Sequence, residues 1–570
     1  MKKLIALSLL TASMMFGCSD PKTNFTPLTQ TQTEAANDFV SGSIAIDLKD
    51  ELTAADIAEM SKEYGFTIRD SSPLAHNLGN LEIADVNPEQ ENVILDKLAH
   101  DPRVEEVEPT MLVHAYFEPN DPLYKDQWGM KAVQATNAWN YTTGKGVVVS
   151  IIDTGVEESH PDLQGVSFIP GYNFAEGNTN TRDRQSHGTH VCSTVAEVSN
   201  NDIGGIGLAP HVQIMPVKAL SDSGSGTMEG VASSIIFATD HGADVINMSL
   251  GSSQKSAVVA KAVKYAYEHH VFVAVAAGND SRPASGSPAT DYGAFAVSAT
   301  DQQGNLARFS SYGKDIKIAA PGVDILQSTV DRNGQGTPVY ASYSGTSMAS
   351  PHIAGLAALA YSQGITNPDK ALQVMQTNAV QKSDASKFGA GIMDAGTTTR
   401  SIYLNHLLFR GGFLLLFGFV LLTLLKKNGK SLLEGRNRTV AILTAVFSSV
   451  GLFWFLPFTG LLPHMGSFRW LGDLLSRPFS EWEMAVSVSF HKYLPMASAL
   501  PAFLLIALGN HKPILRTLAG GLALGTAAYL GQVCYANEIQ FILGPLAMRL
   551  WCLVNIAACL WVAKNTLAKI

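Results

Sequence analysis

A carboxylate, Asp153, ends an apolar run in this sequence of 570 residues and is one of the side chains best suited to chemistry. The run from Val147 to Ile152 is rich in β-branched residues, which is typical of a buried parallel strand. Open α/β sheets place their sites at the carboxyl ends of such strands. We therefore expect Asp153 at a site, although an aspartate that only caps the following turn has the same pattern.

A histidine pair, His187 and His190, opens an Ala- and Val-rich segment that is typical of a helix. Two histidines at this spacing suggest a metal pair, but no third ligand is nearby and the HExxH pattern is absent. We therefore predict that His187 is a general base and that His190 is a hydrogen-bonded structural residue.

A hydroxyl, Ser347, follows a glycine turn and precedes a long run of small residues that predicts a helix. The unpaired N–H groups and the positive dipole at a helix N-terminus stabilise the oxyanion that forms when a hydroxyl attacks a carbonyl. The position therefore predicts that Ser347 is a nucleophile.

Three motifs occur in the order Asp, His, Ser: Asp153-Thr-Gly155, His187-Gly-Thr-His190 and Gly345-Thr-Ser-Met-Ala-Ser-Pro-His352. Together they resemble the subtilase family of serine proteases over roughly residues 120–398, and the opening segment 119–122 is most similar to thermitase-like members. The resemblance implies an α/β fold with a subtilisin-like parallel sheet flanked by helices.

The resemblance also implies a serine endopeptidase that hydrolyses peptide bonds through an acyl-enzyme. Asp153 would orient His187, which would remove the proton of Ser347. The Asn279 amide would then donate to the tetrahedral intermediate.

Protein or peptide substrates would bind as an added antiparallel strand, so recognition would tolerate many sequences. A roomy, uncharged primary pocket would favour large apolar or aromatic side chains. The matching cleft-edge and pocket residues are Gly224, Ser225, Gly226, Ser249, Leu250, Gly251, Ala276, Ala277 and Gly278.

Calcium is the cofactor that the resemblance implies, and no redox or nucleotide cofactor is expected. The side chains of Asp121, Asp162 and Asn201 fall where the family has a strong structural calcium site. Calcium prefers such an oxygen shell, although each carboxylate taken alone is compatible with an ordinary loop residue. The carbonyls that would complete the shell belong to Ser199, Ile203 and Gly205.

Residues 1–18 have the order of an export signal: two lysines, an apolar stretch and a small residue before Cys18. The end of this segment resembles a bacterial lipoprotein cleavage site, but Met15 stands where that pattern prefers leucine, so lipidation of Cys18 stays open. Residues 19–40 are polar and without apolar periodicity, which predicts a flexible tether.

Residues 41–117 alternate between strand and helix patterns and predict a small α+β unit. Its position directly before the three motifs resembles the inhibitory propeptide of subtilases. There it would act as a folding template and a temporary inhibitor. The enzyme would remove it by self-cleavage between about His114 and Asn120, leaving a protease domain over residues 118–400.

Residues 401–570 become strongly apolar and predict an all-α membrane region with about five transmembrane helices. The loop at 426–438 carries five Lys or Arg residues, whereas the loop at 535–540 carries none, so the first loop should face the cytoplasm. The protease domain would then lie on the periplasmic or extracellular side of a bacterial plasma (inner) membrane. The predicted spans are 404–425, 439–457, 493–509, 514–534 and 541–563.

The net charge of −9 is mild for this length and gives no reason to expect a nucleic-acid partner. Two other functions stay open at this point. The fold is compatible with a catalytically silent binding or sensing module, although no triad or oxyanion residue is missing. The membrane region is also compatible with a transporter or receptor that carries an accessory protease, although no glycine-broken inverted repeat stands out.

Overall fold

The computed structural model of the chain divides into two compact units, Met1–Tyr116 and Phe117–Ile570. The predicted export signal, Cys18 and most of the tether and of the self-cleavage region lie outside the described residues. The described residues are 39–72, 79–111, 118–331, 336–482, 496–509, 512–539 and 545–568.

The first unit is a small α+β module with one antiparallel sheet in the strand order β2-β3-β1-β4. Ile44, Ile46 and Leu48 alternate into its core, and Thr53 caps the first helix with a reciprocal hydrogen bond to Asp56. The predicted α+β pattern is confirmed. The elements are β1 (Phe39–Leu48), α1 (Ala54–Tyr64), β2 (Ile68–Asp70), β3 (Leu81–Asp85), α2 (Glu91–Ala99) and β4 (Val104–Met111).

The second unit begins with a parallel sheet in the order β12-β11-β10-β9-β5-β8-β6, with β7 also paired to β8. The elements in chain order are α3 (Trp128–Ala132), α4 (Ala135–Ala138), β5 (Val148–Asp153), β6 (Ser167–Phe168), β7 (Tyr172–Asn173), α5 (His187–Ala196), β8 (Gln213–Lys218), α6 (Met228–Asp240), β9 (Val245–Met248), α7 (Ala257–Glu268), β10 (Phe272–Ala276), β11 (Ala294–Thr300), β12 (Ile316–Pro321), β13 (Ile325–Val330), β14 (Pro338–Tyr343), α8 (Thr346–Ser362), α9 (Pro368–Thr377) and α10 (Ala385–Phe388).

Helices cover both faces of this sheet, as the α/β expectation requires. Val149 and Ile151 pack with α5 and α8 on one face, and Val148 and Ile152 pack with α6 and α7 on the other. Because both faces are buried, the strands are apolar at nearly every position. The parallel order brings the carboxyl ends of β5, β9 and β10 to one edge, where the site lies.

The rest of the second unit is helical. Three of its described helices are long and apolar enough to cross a membrane, namely Ala395–Lys427, Pro513–Ala536 and Leu546–Thr566. The other two predicted spans fall on shorter helices, so five crossings stay a prediction. The elements are α11 (Ala395–Lys427), α12 (Gly435–Ser449), α13 (Arg469–Ser476), α14 (Leu500–Gly509), α15 (Pro513–Ala536) and α16 (Pro545–Thr566).

The second predicted span is shorter than expected because α12 ends at Ser449, two residues before Gly451, whose φ of 101° is left-handed. Two short 3₁₀ segments follow, Leu456–Thr459 and Leu462–Phe468, each with a proline in its first turn. The helices beside it pack closely through small residues. A side chain at Gly521 or Gly525 would meet the backbone of α12, so only glycine allows this approach.

Candidate active site

The carboxylate and imidazole of the first two motifs meet at the end of β5. Asp153 is fully buried, and its Oδ1 accepts hydrogen bonds from His187 Nδ1 and from the Thr154 N–H, each at 2.7 Å. Gly155 has a φ of 102°, and a side chain there would overlap the Thr181 carbonyl. The turn after the strand therefore needs glycine in order to bring the two motifs together.

A buried carboxylate that the sequence reasoning missed, Asp183, organises the start of the histidine helix. Its Oδ1 accepts from the N–H groups of Gln185 (2.9 Å) and Ser186 (3.1 Å). Its Oδ2 accepts from the N–H (2.9 Å) and the hydroxyl (2.7 Å) of Thr189. Burial raises the pKa of Asp183 despite these hydrogen bonds.

Asp183 also reaches the turn after β5. Thr154 Oγ1 donates to Asp183 Oδ1 at 3.0 Å and accepts from the Gly188 N–H at 2.9 Å. One carboxylate thus fixes the turn that carries Asp153 and the first turn that carries His187. An aspartate four residues before the helix start was the available sequence signal, because carboxylates favour helix N-termini.

The predicted nucleophile, Ser347, lies in the first turn of α8. Its hydroxyl donates to the Ser249 carbonyl at 3.2 Å, and the Ser249 hydroxyl donates back to the Ser347 carbonyl at 2.7 Å. Behind this exchange, Asn247 donates to the Ser249 hydroxyl at 3.0 Å and accepts from Ser350 at 2.7 Å. The end of β9 and the start of α8 are therefore joined by three hydrogen bonds.

The predicted oxyanion residue, Asn279, is oriented by the same helix start. Its Oδ1 accepts from the N–H (2.8 Å) and the hydroxyl (2.9 Å) of Thr346. With the amide oxygen occupied, the NH₂ group is the part of this side chain left to donate. Gly278 beside it has a φ of 108°, a left-handed conformation that suits glycine.

A cavity of about 320 Å³ opens beside these residues and contains two of the predicted segments, 249–251 and 276–278. The cavity also touches Ser347 and Asn279. Its wall includes one charged pair, in which Arg282 donates to Asp280 at 2.9 Å with both side chains about half exposed. The predicted residues 224–226 do not line this cavity and form a separate turn, closed by the Ser221 N–H on the Ser225 carbonyl at 2.9 Å.

Comparison with known proteins agrees with these motifs. The sequence model of the subtilase family matches residues 144–391. A thermophilic serine proteinase from Bacillus sp. (strain AK1) is 37% identical over 389 residues, which cover 66% of this chain and 93% of that protein. The chain belongs to the subtilase family.

Further subtilases match over the protease domain. Thermitase from Thermoactinomyces vulgaris is 41% identical over 249 residues, covering 44% of this chain and 87% of that protein. Subtilisin Savinase from Lederbergia lenta is 40% identical over 281 residues, covering 48% and 98%. The chain is therefore a subtilisin-type serine protease, and its resemblance to thermitase-like members is confirmed.

The predicted calcium residues of this subtilase lie together. Both oxygens of Asp121 accept from the Asn200 N–H, at 3.0 and 2.8 Å, and Asp162 Oδ1 accepts from the Asn201 amide at 2.7 Å. Burial, together with the negative charge of Asp162, raises the pKa of Asp121 to about 6. Neither carboxylate forms an ion pair with a Lys, Arg or His among the residues that the structure describes.

A third acid adds to this negative cluster. Glu197 is fully buried, and its pKa is raised by burial and by Asp162. These oxygen donors are of the type that calcium prefers, but among the residues that the structure describes no group of three or more Asp, Glu, His or Cys side chains is placed to hold a metal ion, so calcium stays a prediction.

The subtilase site contains one more residue that the motifs did not reveal. Lys218 ends β8 beside Asp153 and is 1% exposed. Its ammonium donates to the Thr154 carbonyl and to Asp222 Oδ1, the latter at 2.8 Å. It therefore ties the turn after Asp153 to the segment that precedes residues 223–226. The sequence gives no separate signal for this role, because a lysine at a strand end usually faces solvent.

Proposed function

We propose that this subtilase is a self-processed, membrane-anchored serine endopeptidase whose triad is Asp153, His187 and Ser347. The observation that carries the proposal is the 2.7 Å hydrogen bond from His187 to a fully buried Asp153, at the sheet edge where Ser347 borders the cavity. An ionised carboxylate only accepts hydrogen bonds, so His187 Nδ1 carries the hydrogen. The other ring nitrogen of neutral His187 is then an acceptor and would be the base.

In the reaction, His187 takes the Ser347 proton as the hydroxyl attacks the substrate carbonyl, and Asp153 stabilises the imidazolium. His187 then protonates the leaving amine, which departs and leaves an acyl group on Ser347. A water molecule then attacks the acyl group by the same steps, which releases the carboxylic acid product and restores Ser347.

The oxyanion of both intermediates would lie between the Asn279 NH₂ group and the N–H of Ser347. Loss of one such donor costs about 2.7–4 kcal/mol of transition-state stabilisation, a value known from subtilisin itself. The substrate side chain next to the scissile bond would enter the cavity of about 320 Å³. The adjoining chain segments would pair with the backbone at 224–226 and 249–251.

A fluorophosphonate probe tests the triad directly, because it reacts only with an activated serine. The wild-type protein should be labelled, and Ser347→Ala should not. Labelling of wild type that persists in Ser347→Ala, or a wild type that takes up no label, would contradict the proposal. The second result would instead support a silent binding module.

The N-terminal unit at 41–117 is proposed as the inhibitory propeptide. Its compact α+β module and its place before the protease domain support this role. Ser347→Ala should accumulate as a precursor that retains residues near 110–120, as seen by N-terminal sequencing. A precursor that still matures in a host without other proteases would show that cleavage is not self-inflicted.

Calcium is proposed at Asp121, Asp162 and Asn201, with the carbonyls of Ser199, Ile203 and Gly205. The ion would hold the loop against the start of the domain and would take no part in the reaction. Because it binds only the folded state, an ion at 100 times its Kd would stabilise the fold by about 2.7 kcal/mol. Chelation should lower the melting temperature of wild type and not of Asp162→Ala. An equal melting temperature with and without chelator would remove the assignment.

The proposed location is a bacterial plasma (inner) membrane, with the protease domain on the periplasmic or extracellular side. Three helices of spanning length support the anchor, and the basic loop at 426–438 supports the orientation. After a carbonate wash, mature enzyme should stay in the pellet, and added protease should digest the catalytic domain only from the outer side. Full-length mature enzyme in the supernatant would exclude an integral anchor.

A further inference from the structure

Helix α11 belongs to the protease core and to the membrane region at once. The Ala395 N–H donates to the Val133 carbonyl at 2.8 Å, and Gln363 donates to the Thr399 carbonyl at 3.0 Å. Ile402 is 1% exposed and is part of the protease core. The same helix then continues without interruption to Lys427. No loop separates the two regions along this path.

Two arginines of the segment after α12 also bind the protease domain. Arg469 donates to the Trp139 carbonyl, and Arg477 donates to the Ser362 carbonyl at 2.5 Å. Ser362 is the last residue of α8, so Arg477 satisfies a carbonyl that the helix end leaves open. The helix that starts next to the nucleophile is therefore held at its far end by the C-terminal region.

A third contact comes from the segment after α15. The carbonyl of Glu538 accepts the N–H groups of Thr366 (2.9 Å) and Asn367 (3.0 Å), and Asn367 caps α9. Three separate parts of the C-terminal region thus bind two segments of the protease domain, 133–139 and 362–367. Contacts from several segments resist rotation as well as separation.

A ring of buried polar side chains joins elements of the C-terminal region near these contacts. Arg410, 5% exposed, donates to Glu481 (2.5 Å), Gln532 (3.1 Å) and His406 (3.1 Å). Glu538 accepts from His406 at 2.9 Å and from Gln532 at 2.5 Å, which closes the ring. It joins α11 and α15 with the segments that contain Glu481 and Glu538, and a buried, fully paired network of this kind fixes one arrangement.

The bilayer surface can be located from the exposed side chains of α11. Large apolar residues face outward from Leu408 to Leu422, and two lysines follow at 426 and 427. From Leu408 to Leu425 the helix rises about 26 Å, close to the hydrocarbon thickness of about 30 Å.

The segment at 452–471 exposes further large apolar side chains, including Trp454, Phe468 and Trp470. It lies beside α11, because Tyr403 of that helix donates to the Trp454 carbonyl at 2.6 Å. Tryptophan is enriched where membrane meets water, so this segment fits the headgroup region of the same bilayer.

We propose that the C-terminal region holds the protease domain in one fixed orientation on the bilayer, so that the enzyme selects peptide bonds by their height above the membrane. Its substrates are then membrane-anchored chains whose cleavable segment rises to that height. The inference rests on the proposed endopeptidase function and adds a substrate class to it.

The serine helix separates the nucleophile from the C-terminal region. Ser347 lies 15 residues before Ser362, so the nucleophile is about 22 Å along α8 from the Arg477 contact. The cleft thus lies at the end of the helix remote from the C-terminal region. An extended substrate chain covers about 3.3 Å per residue, so several residues must separate its anchor from the scissile bond.

Rigid substrates of graded height test the proposal with the full-length mature enzyme in lipid vesicles. Each substrate carries a transmembrane anchor, a polyproline spacer and one common cleavable sequence. Spacers of roughly 5, 10, 20 and 40 prolines reach about 15 to 125 Å. Wild type should cleave the best spacer on the order of tenfold faster than the worst, because a spacer of the wrong length cannot place the bond in the cleft.

The comparison variant carries flexible Gly/Ser inserts after Leu404 and on both sides of Glu538, together with Arg469→Ala and Arg477→Ala, so that all three contacts are loosened. It should cleave all spacers at similar rates while hydrolysing a soluble peptide as fast as wild type. Arg516→Ala is the matched control, because Arg516 binds the Asn565 carbonyl within the C-terminal helices at 2.6 Å, and it should keep the spacer preference.

Equal cleavage of all spacers by wild type, with normal hydrolysis of the soluble peptide, would overturn the fixed orientation and leave the protease function intact. Failure to hydrolyse the soluble peptide as well would overturn the proposed function on which the inference rests.

A second measurement is independent of the variants. Energy transfer from a dye-labelled fluorophosphonate on Ser347 to labelled lipid should give one narrow distance, and a broad distribution would contradict the proposal.

Discussion

Buried carboxylates are stabilised in different ways in the protease sheet and in the C-terminal helices. At the active site, Asp183 accepts mainly from backbone N–H groups at the start of α5. In the C-terminal region, Glu481 and Glu538 accept from the side chains of Arg410, His406 and Gln532.

The difference follows from where free backbone donors exist. The start of a helix leaves its first N–H groups unpaired, so a loop beside it can satisfy a carboxylate without a cation. Glu481 lies in a short 3₁₀ turn, and Glu538 follows the C-terminal end of α15, where the unpaired backbone groups are carbonyls. These acids are therefore paired with charged or amide side chains. Asp183 thus holds the turns that carry Asp153 and His187, whereas Glu481 and Glu538 join helices and connecting segments of the C-terminal region.

The largest expected effect concerns the base at the active site. Asp153→Asn should lower kcat about 10⁴-fold, because asparagine can donate to His187 and favour the wrong tautomer, as the same change does in other triad proteases. The measurement is peptide hydrolysis by enzyme that was matured before assay by added wild type. A melting temperature close to that of wild type would be the folding control, and a loss smaller than about tenfold would contradict the assigned role.

Breaking the ring in the C-terminal region should have the next largest effect. Arg410→Met leaves Glu481 buried without its cation and should lower the free energy of unfolding by about 3–5 kcal/mol. The double variant Arg410→Met with Glu481→Met should regain most of this stability, since an apolar pair of similar volume replaces the ion pair. Unfolding in mixed detergent micelles measures both. A double variant as unstable as the single one would show that the loss of stability does not come from the unpaired charge of Glu481 alone.

Changing the backbone-paired carboxylate should be milder. Asp183→Asn places an NH₂ group against N–H donors and should cost about 1–3 kcal/mol of stability. Because Asp183 positions His187 without touching substrate, kcat should fall while KM stays constant. Glu268→Gln is the control, since it breaks only the exposed pair with Lys264 (3.5 Å) and should change stability by less than about 1 kcal/mol. A rise in KM alone would argue against the positioning role.

The smallest effect concerns a buried histidine that stays neutral. Burial lowers the pKa of His352 to about 4, against about 6.5 in the unfolded chain, so the unfolded state binds the proton first as pH falls. The full stability is therefore present above about pH 6.5 and is lost progressively down to about pH 4.

Between pH 7.5 and 5.5, His352 should account for a loss of about 1.4 kcal/mol. Between these two pH values, the loss of stability in the variant His352→Leu should be smaller than the loss in wild type by about 1.4 kcal/mol. The measurement is the denaturant midpoint of wild type and of His352→Leu at each pH value. Equal losses of stability in the two proteins would show that His352 does not titrate on unfolding.

Much of the site could be predicted because the motifs are local. The strand that ends at Asp153 and the helices that begin at His187 and Thr346 follow from hydrophobic pattern and glycine turns, and the structure has them there. The roles of Asp183 and Lys218 could not be predicted in this way. Their partners come from other segments, and a sequence does not show which N–H groups a fold leaves unpaired.

The C-terminal region shows the same limit. Apolar stretches predicted five spans, and three of the described helices are long and apolar enough to cross a membrane. Hydropathy could not show that α12 ends before the left-handed Gly451. The boundary near Arg400 followed a change in composition, whereas α11 crosses it as one helix. A change in composition predicts where a chain passes from water into lipid, but the secondary structure need not change at the same residue.

Because α11 is one continuous helix, its length sets the rotation of the cleft relative to the C-terminal helices. Each residue of an α-helix adds about 100° of rotation and 1.5 Å of rise. One residue inserted between Ile402 and Arg410 would therefore turn the cleft by more than a quarter of a circle relative to the helices below. An insertion of about seven residues, close to two full turns, would restore the direction and lift the cleft by about 10 Å. Related chains that keep this helix should thus differ in its length by nearly whole turns. Each such difference would change the distance of the cleft from the membrane and leave the direction in which the cleft faces unchanged.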